Sequence, residues 1–397
     1  MNFCKHSTVF SFLVPVFLGL LAVPALTQTS GETIFQSYER VFIRSSLSTK
    51  VNVLADAVND EAADEFYGPL CEAALRFVTE NAPLFRDDPD MVSIAVTAVK
   101  GIGNYAYNPA VGILWQVFLQ FPDNVIRYEI LNTLAVLDSS AVMENINEFL
   151  AEQNRRYGSG LGADFQMLEA LFTLLGRIGD DSSYPVLFAS SLIYSGELEA
   201  LAVRSLYSID GDFYAFCHRV IIHNPPAEKL EAFKLGMARE GTAGERGVLA
   251  EVALEAALIV PGDRRLEIRE LSEQSLDVIR ETEWVRALPQ VLKYYTQSLA
   301  AFRADHSRKE PLLNAVVCLG VMKSAEAAQT LALQLGLYNS RPGALRAEEL
   351  EVVLALINAL GQLGYRASYD ALHHAGALPY PDEITEAARK ALAALQW

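Results

Sequence analysis

Along most of the chain, apolar residues return at spacings of three and four, the interval that lines one face of an α-helix. The runs are short and firmly ended. Around LFTLLGRIGDDSSYPVL (171–187), Leu168, Leu171, Leu175 and Ile178 share one face. Gly179 supplies the backbone freedom that a helix C-terminus favours. Asp181, Ser182 and Ser183 are cap residues for a following helix, and Pro185 is tolerated in its first turn. The stretch therefore predicts helix, tight turn, helix. Neither helix can bury its apolar face alone.

The same signature recurs. Helices are predicted to end at Ile102-Gly103, Leu137-Asp138, Ile209-Asp210-Gly211, Met322 and Leu363-Gly364, each restarting within a few residues. The restarts fall near Pro109, Ser139 or Ser140, Ser324 and Ser368. Ile102, Leu137, Ile178 and Ile209 lie 35, 41 and 31 residues apart, and Met322 and Leu363 lie 41 apart. A period in this range marks a solenoid of helix pairs. No alternating strand pattern of any length appears. The prediction is an all-α chain in which each pair leans on the next.

The helix ends LLGRIGD and ALGQLGY, the near match VKGIGN and this spacing resemble HEAT repeats of the armadillo-like α-solenoid class. PDNVIRYEILNTLAVLD (122–138) resembles the way such repeats begin, with Asp123 opening the helix and Arg127 inside it. The resemblance implies a right-handed α-solenoid of stacked antiparallel helix pairs with helical caps. The chain departs from the family where Leu168, Glu199, Leu312 and Val353 stand at the position matching Arg127. On this reading residues 28–89 form an N-terminal helical cap, 90–225 and 310–397 carry HEAT-like repeats, and 226–309 carry degenerate ones. The final segment includes a C-terminal capping helix opened by Asp382. NRRYGSGLGADF (154–165) and REGTAGERG (239–247) read as glycine-rich loops, the second as an insertion.

The first residues follow a different pattern. One lysine, Lys5, precedes an apolar run from about Val9 to Val23, followed by Pro24 and small residues. This is the layout of a secretory signal peptide, here residues 1–27. A membrane anchor is the other reading, but the run is short against the roughly 20 apolar residues that span a bilayer. The expected location is periplasmic or extracellular, with no membrane span after cleavage. Three cysteines then remain, Cys71, Cys217 and Cys318, all in apolar helical contexts. They read as small buried hydrophobes, with one disulfide plus one thiol as the alternative.

The 397-residue chain has a formal charge of −17 and is 51% hydrophobic, so it can bury a core and is poorly suited to nucleic acid, which requires clustered Lys and Arg. A basic or amphipathic protein partner suits it better. Candidate chemistry is sparse. His218 and His223 near Cys217 are five apart and do not share a helix face; His373 and His374 point apart. GSGLG (158–162) lacks dinucleotide-loop spacing, and no Walker A or G-x-S-x-G stretch occurs. RDDPD (86–90), GDD (179–181) and DGD (210–212) offer Ca²⁺ carboxylates but sit at turns, where Asp caps helices. Tyr105, Tyr107, Tyr184, Tyr194, Tyr207, Phe213, Tyr214, Phe216, Tyr294 and Tyr295 cluster near helix junctions. They are candidate partner anchors if exposed, and inter-repeat packing if not.

The sequence thus assigns no catalytic, cofactor-binding or metal-ligating residue and no cofactor. It points to an exported, non-catalytic scaffold or adaptor of the cell envelope. The alternative is an envelope enzyme or a glycan or small-ligand binder built from scattered Asp, Glu and Tyr.

Overall fold

A computed structural model describes residues 33–85, 88–259 and 265–396. The expected signal peptide, residues 28–32 and part of the RDDPD turn lie outside them. The described residues are helical throughout, with no strand. The helices are α1 (Ile34–Arg44), α2 (Leu47–Ala57), α3 (Ala63–Phe85), α4 (Pro89–Asn104), α5 (Val111–Gln120), α6 (Asn124–Leu134) and α7 (Met143–Gly158). There follow α8 (Phe165–Ile178), α9 (Tyr184–Ile193), α10 (Glu197–Ser208), α11 (Phe213–His223), α12 (Pro226–Ala238), α13 (Ala243–Ala257) and α14 (Leu266–Glu281). The last are α15 (Leu288–Ala304), α16 (Glu310–Val321), α17 (Ala325–Asn339), α18 (Ala347–Leu363), α19 (Tyr369–Ala377) and α20 (Asp382–Ala393).

The chain divides into two units, 33–149 with 164–174, and 150–163 with 175–396; the division runs through α7 and α8. In the first unit α1, α3 and α5 pack in one row and α2, α4 and α6 in another. In the second, α12, α14, α16, α18 and α20 form a row, faced by α11, α13 and α15 and by α17 with α19. The substantial helix contacts join chain neighbours across the rows or next-but-one neighbours along a row. Each unit is therefore a stack of helix pairs built in chain order, an α-solenoid in which burial comes from the adjoining copy.

The turn residues act much as their chemistry dictates. Asp123 accepts from the Ile126 amide, Asp212 from Ala215, and Ser324 from Glu326 and Ala327. Asp382 does not cap: it is the first residue of α20, and Pro381 precedes it as the cap position. Gly179 is needed for a close approach rather than a left-handed turn, since a Cβ there would meet the Leu175 carbonyl oxygen at 2.3 Å. The left-handed turn does recur elsewhere, at Ala106, Glu283, Lys323 and Gly364, each just past the end of an even-numbered helix. The repeat is thus written in the backbone where the residue type does not show it.

REGTAGERG is not an inserted loop. Thr242 and Glu245 form a reciprocal capping box, and α13 starts at Ala243, leaving a short turn after α12. Gly247 lies inside the helix because the Trp284 ring occupies the space of a Cβ, 2.6 Å away. The other glycine-rich stretch is half helix: α7 runs to Gly158 before the turn. The described residues of 226–309 are helical, in α12 to α15.

Arg127 has a defined structural duty. As the fourth residue of α6 it donates from Nε to the Phe118 carbonyl at 3.0 Å, closing the end of α5. The residues aligned with it in sequence do not share this duty: Leu168, Leu312 and Val353 are buried apolar groups and Glu199 is exposed. Two lysines take it up instead. Lys50, fourth in α2, donates to the Phe42 and Ile43 carbonyls of α1, and Lys229, fourth in α12, donates to Ile221 and Ile222 of α11. The orphan carbonyls of a helix end are thereby satisfied by the next helix. Both lysines are buried, and desolvation lowers their pKa. Lys229→Met leaves those carbonyls without a donor and is expected to lower the unfolding free energy by about 2 kcal/mol. Equilibrium urea unfolding measures it; an unchanged midpoint would show that the cap contributes nothing net.

A second set of links joins the turns that follow the even-numbered helices. Asn108 Oδ1 accepts from the Asp138 amide at 2.9 Å in the first unit, and Asp181 Oδ1 from the Asp212 amide at 3.1 Å in the second. Further along, Lys323 pairs with Glu283, and the Tyr365 hydroxyl donates to the Lys323 carbonyl at 2.7 Å. These bonds span 30 to 42 residues, one repeat each, and hold neighbouring turns in register.

Candidate functional site

The aromatic residues at the helix junctions are consumed by packing. Tyr184, Tyr194, Phe213, Phe216, Tyr294 and Tyr295 are buried, and Tyr105, Tyr107, Tyr207 and Tyr214 are partly so. Phe213 is the hub of the largest group. Its ring lies 5.7 Å from Tyr184 on α9, 5.3 Å from Tyr207 on α10 and 6.2 Å from Phe216, with the Arg239 guanidinium 5.1 Å above it. The Tyr207 hydroxyl donates to the Leu235 carbonyl and that of Tyr214 to Arg239. Of the two readings of these residues, inter-repeat packing is the one the geometry supports.

The other sequence candidates are dispersed. Cys71, Cys217 and Cys318 are buried free thiols, each pushed up to about 12 by desolvation. His373 stacks on Tyr369 at 5.7 Å and lies 6.4 Å from His374, ring to ring. No group of three or more His, Cys, Asp or Glu comes together to hold a metal among the described residues. The aspartates of the GDD and DGD turns serve backbone: Asp180 accepts from Ser182, Asp181 from the Asp212 amide, and Asp212 caps α11.

Among the described residues, four carboxylates titrate below their usual range: Asp138 through hydrogen bonds from Ser140, Glu245 through Thr242, Asp305 through Ser307 and Glu386 through Lys390. All four are exposed and each shift is local to a turn or helix.

What the surface does offer is apolar. Leu333 and Leu337 stand one turn apart on α17 at 74% and 58% exposure. Gly336 beside them has nothing within 4 Å of where a Cβ would sit. On the other side of the same helix Leu331, Leu335 and Tyr338 are buried, so α17 is apolar on two faces. An amphipathic surface helix needs only one. Exposed apolar residues also mark the C-terminal ends of other odd-numbered helices: Leu119 on α5, Leu192 and Ile193 on α9, and Ile222 on α11. Sequence periodicity could not single these positions out, because an apolar residue scores the same on either face of a helix.

Cavities lie against the helices in both units. One of 780 Å³ in the first unit is lined by the end of α3, with Asp88 and Gln120. One of 440 Å³ in the second includes Tyr294, Ser272, Ser298, Arg269 and Glu273. Another, of 480 Å³, lies between α18 and α20, and one of 380 Å³, rich in arginine, lies between α15, α17 and the start of α18. No helix among the described residues is long and apolar enough to cross a membrane.

No family model matches the chain, and no curated protein does. Among solved structures, the SYS-1/POP-1 complex is similar over 91% of this chain and 69% of that one, at 10% identity and a TM-score of 0.26. At that score the likeness carries no argument, and the fold assignment rests on the helix packing itself.

Proposed function

We propose that the chain is an exported HEAT-like α-solenoid that acts as a non-catalytic protein-binding scaffold or adaptor in the cell envelope. The observation that carries this reading is the second apolar face of α17. Leu333 and Leu337 lie in water one helical turn apart, with an uncluttered glycine between them. This is the spacing at which an amphipathic helix is received, its own apolar residues recurring at i, i+3, i+4 and i+7. A stack of helix pairs supplies a long surface on which such sites can be arrayed. The acidic charge of the chain favours a partner whose polar face is basic and speeds its encounter at low salt. The N-terminal Lys5 and apolar run support export.

The test is a crosslinking capture from the envelope fraction at low salt, with the wild-type chain and Leu333→Asp/Leu337→Asp run side by side. Both positions are exposed, so the double variant is expected to fold normally. The wild-type chain should recover a stoichiometric protein, and the variant should lose it at least tenfold. Equal recovery by both, or none by either, contradicts the proposed use of α17.

A further inference from the structure

The arginine-rich cavity is out of character with its surroundings. In a chain with a formal charge of −17, its 380 Å³ are walled by the guanidinium-bearing Arg303, Arg341 and Arg346, with His306 alongside. The acid in the wall is Glu349, which is 4% exposed.

Glu349 is held from three directions. It accepts from Arg341 Nη2 at 2.7 Å and from the Arg346 amide at 3.0 Å, and His306 Nε2 lies 3.9 Å away. Its role is to fix the wall. Arg303 is oriented by a different buried group, donating to Gln334 Oε1 at 3.0 Å. Arg346 makes no ion pair among the described residues and precedes α18, whose N-terminus is already capped by the Glu349 carboxylate. Three guanidiniums against one carboxylate leave the cavity with an excess of two positive charges.

We propose that this cavity binds a small molecule through a dianionic phosphate group. The charge excess matches a dianion. Planar forks arriving from α15, from the turn after α17 and from the head of α18 can each take a different pair of tetrahedral oxygens. A planar monocarboxylate would leave one fork unanswered. The volume suits a compact phosphomonoester, near the lower end of small-ligand sites. The cavity adjoins the docking face, since Leu337 of α17 lines it beside Gln334 and Tyr338; its anion-binding groups are the arginines, and the test changes Arg303 and Arg346 and leaves the leucines in place.

The experiment is titration calorimetry of the full chain at low ionic strength with inorganic phosphate, with glycerol phosphate and with succinate. The two phosphates should each saturate one site per chain, and succinate should bind at least tenfold more weakly. Arg303→Gln/Arg346→Gln should weaken phosphate at least tenfold while melting like the wild type, since both side chains are exposed. In the wild-type chain, phosphate should also shift the His306 imidazole resonances, a readout that needs no variant. No saturable phosphate binding, succinate binding as tight as phosphate, or undiminished binding in the double variant would each overturn the assignment.

Discussion

The folded chain is expected to lose its stability steeply above pH 9. The three thiols titrate near 9.0 when unfolded and are pushed up to about 12 by burial in the fold. Between those values the folded chain holds protons that the unfolded chain has released, so stability falls as pH rises. Below pH 9 the thiols contribute no slope. Above it each contributes about 1.4 kcal/mol per pH unit, roughly 4 kcal/mol per unit for the three together. Tyr194, Tyr294 and Tyr380, pushed up to about 12 chiefly by burial, add to the slope above pH 10. Lys50 and Lys229 oppose it, because their lowered pKa lets the folded ammonium give up its proton first. Two such groups do not offset the thiols and phenols. Typical stabilities of about 5–15 kcal/mol would be exhausted before pH 12. The check is the urea midpoint from pH 8 to 11 in wild type and in Cys217→Ala. The wild-type midpoint should drop progressively, and the variant should drop with a slope shallower by about a third between pH 9 and 10. A midpoint flat to pH 11 would contradict burial of the thiols.

The second large effect is expected at Phe213. It is 1% exposed and touches rings from α9, α10 and α11 and the guanidinium of Arg239 beyond α12. Truncating a fully buried phenylalanine costs about 3–5 kcal/mol, because the apolar transfer is lost and the cavity only partly refills. Phe213→Ala should fall in that range in urea unfolding. A loss under 1 kcal/mol would mean that the ring group does not hold these four helices together.

Much of the fold was legible in the sequence for a simple physical reason. A helix that is apolar on one face and ended by Asp, Ser or Gly must find a neighbour, and its chain neighbour is nearest. Asp123, Asp212 and Ser324 cap where their side chains predict. The misreadings come from residues whose reason lies in another helix. Gly247 makes REGTAGERG look like a loop, although the glycine exists to admit Trp284. The duty of Arg127 recurs at Lys50 and Lys229, which lie in the segments read as cap and degenerate repeats and use a different residue type. The site was less legible than the fold. The junction aromatics had two readings that only burial separates. The exposed leucines of α17 look like core in a one-dimensional pattern. Arg303, His306, Arg341 and Arg346 come from three elements and share no motif, so the cavity they wall has no signature in the chain.

The central claim, that stability is handed from each helix pair to the next in chain order, is tested most directly by native-state hydrogen exchange of Phe213→Ala against wild type. Within the second unit, protection should fall most in α9 to α13 and recover with distance along the chain, leaving α16 to α20 nearly unchanged. An equal loss across the whole unit, or a loss that skips α12 to α14 and appears in α18 to α20, would contradict a stack whose helices support one another only in sequence.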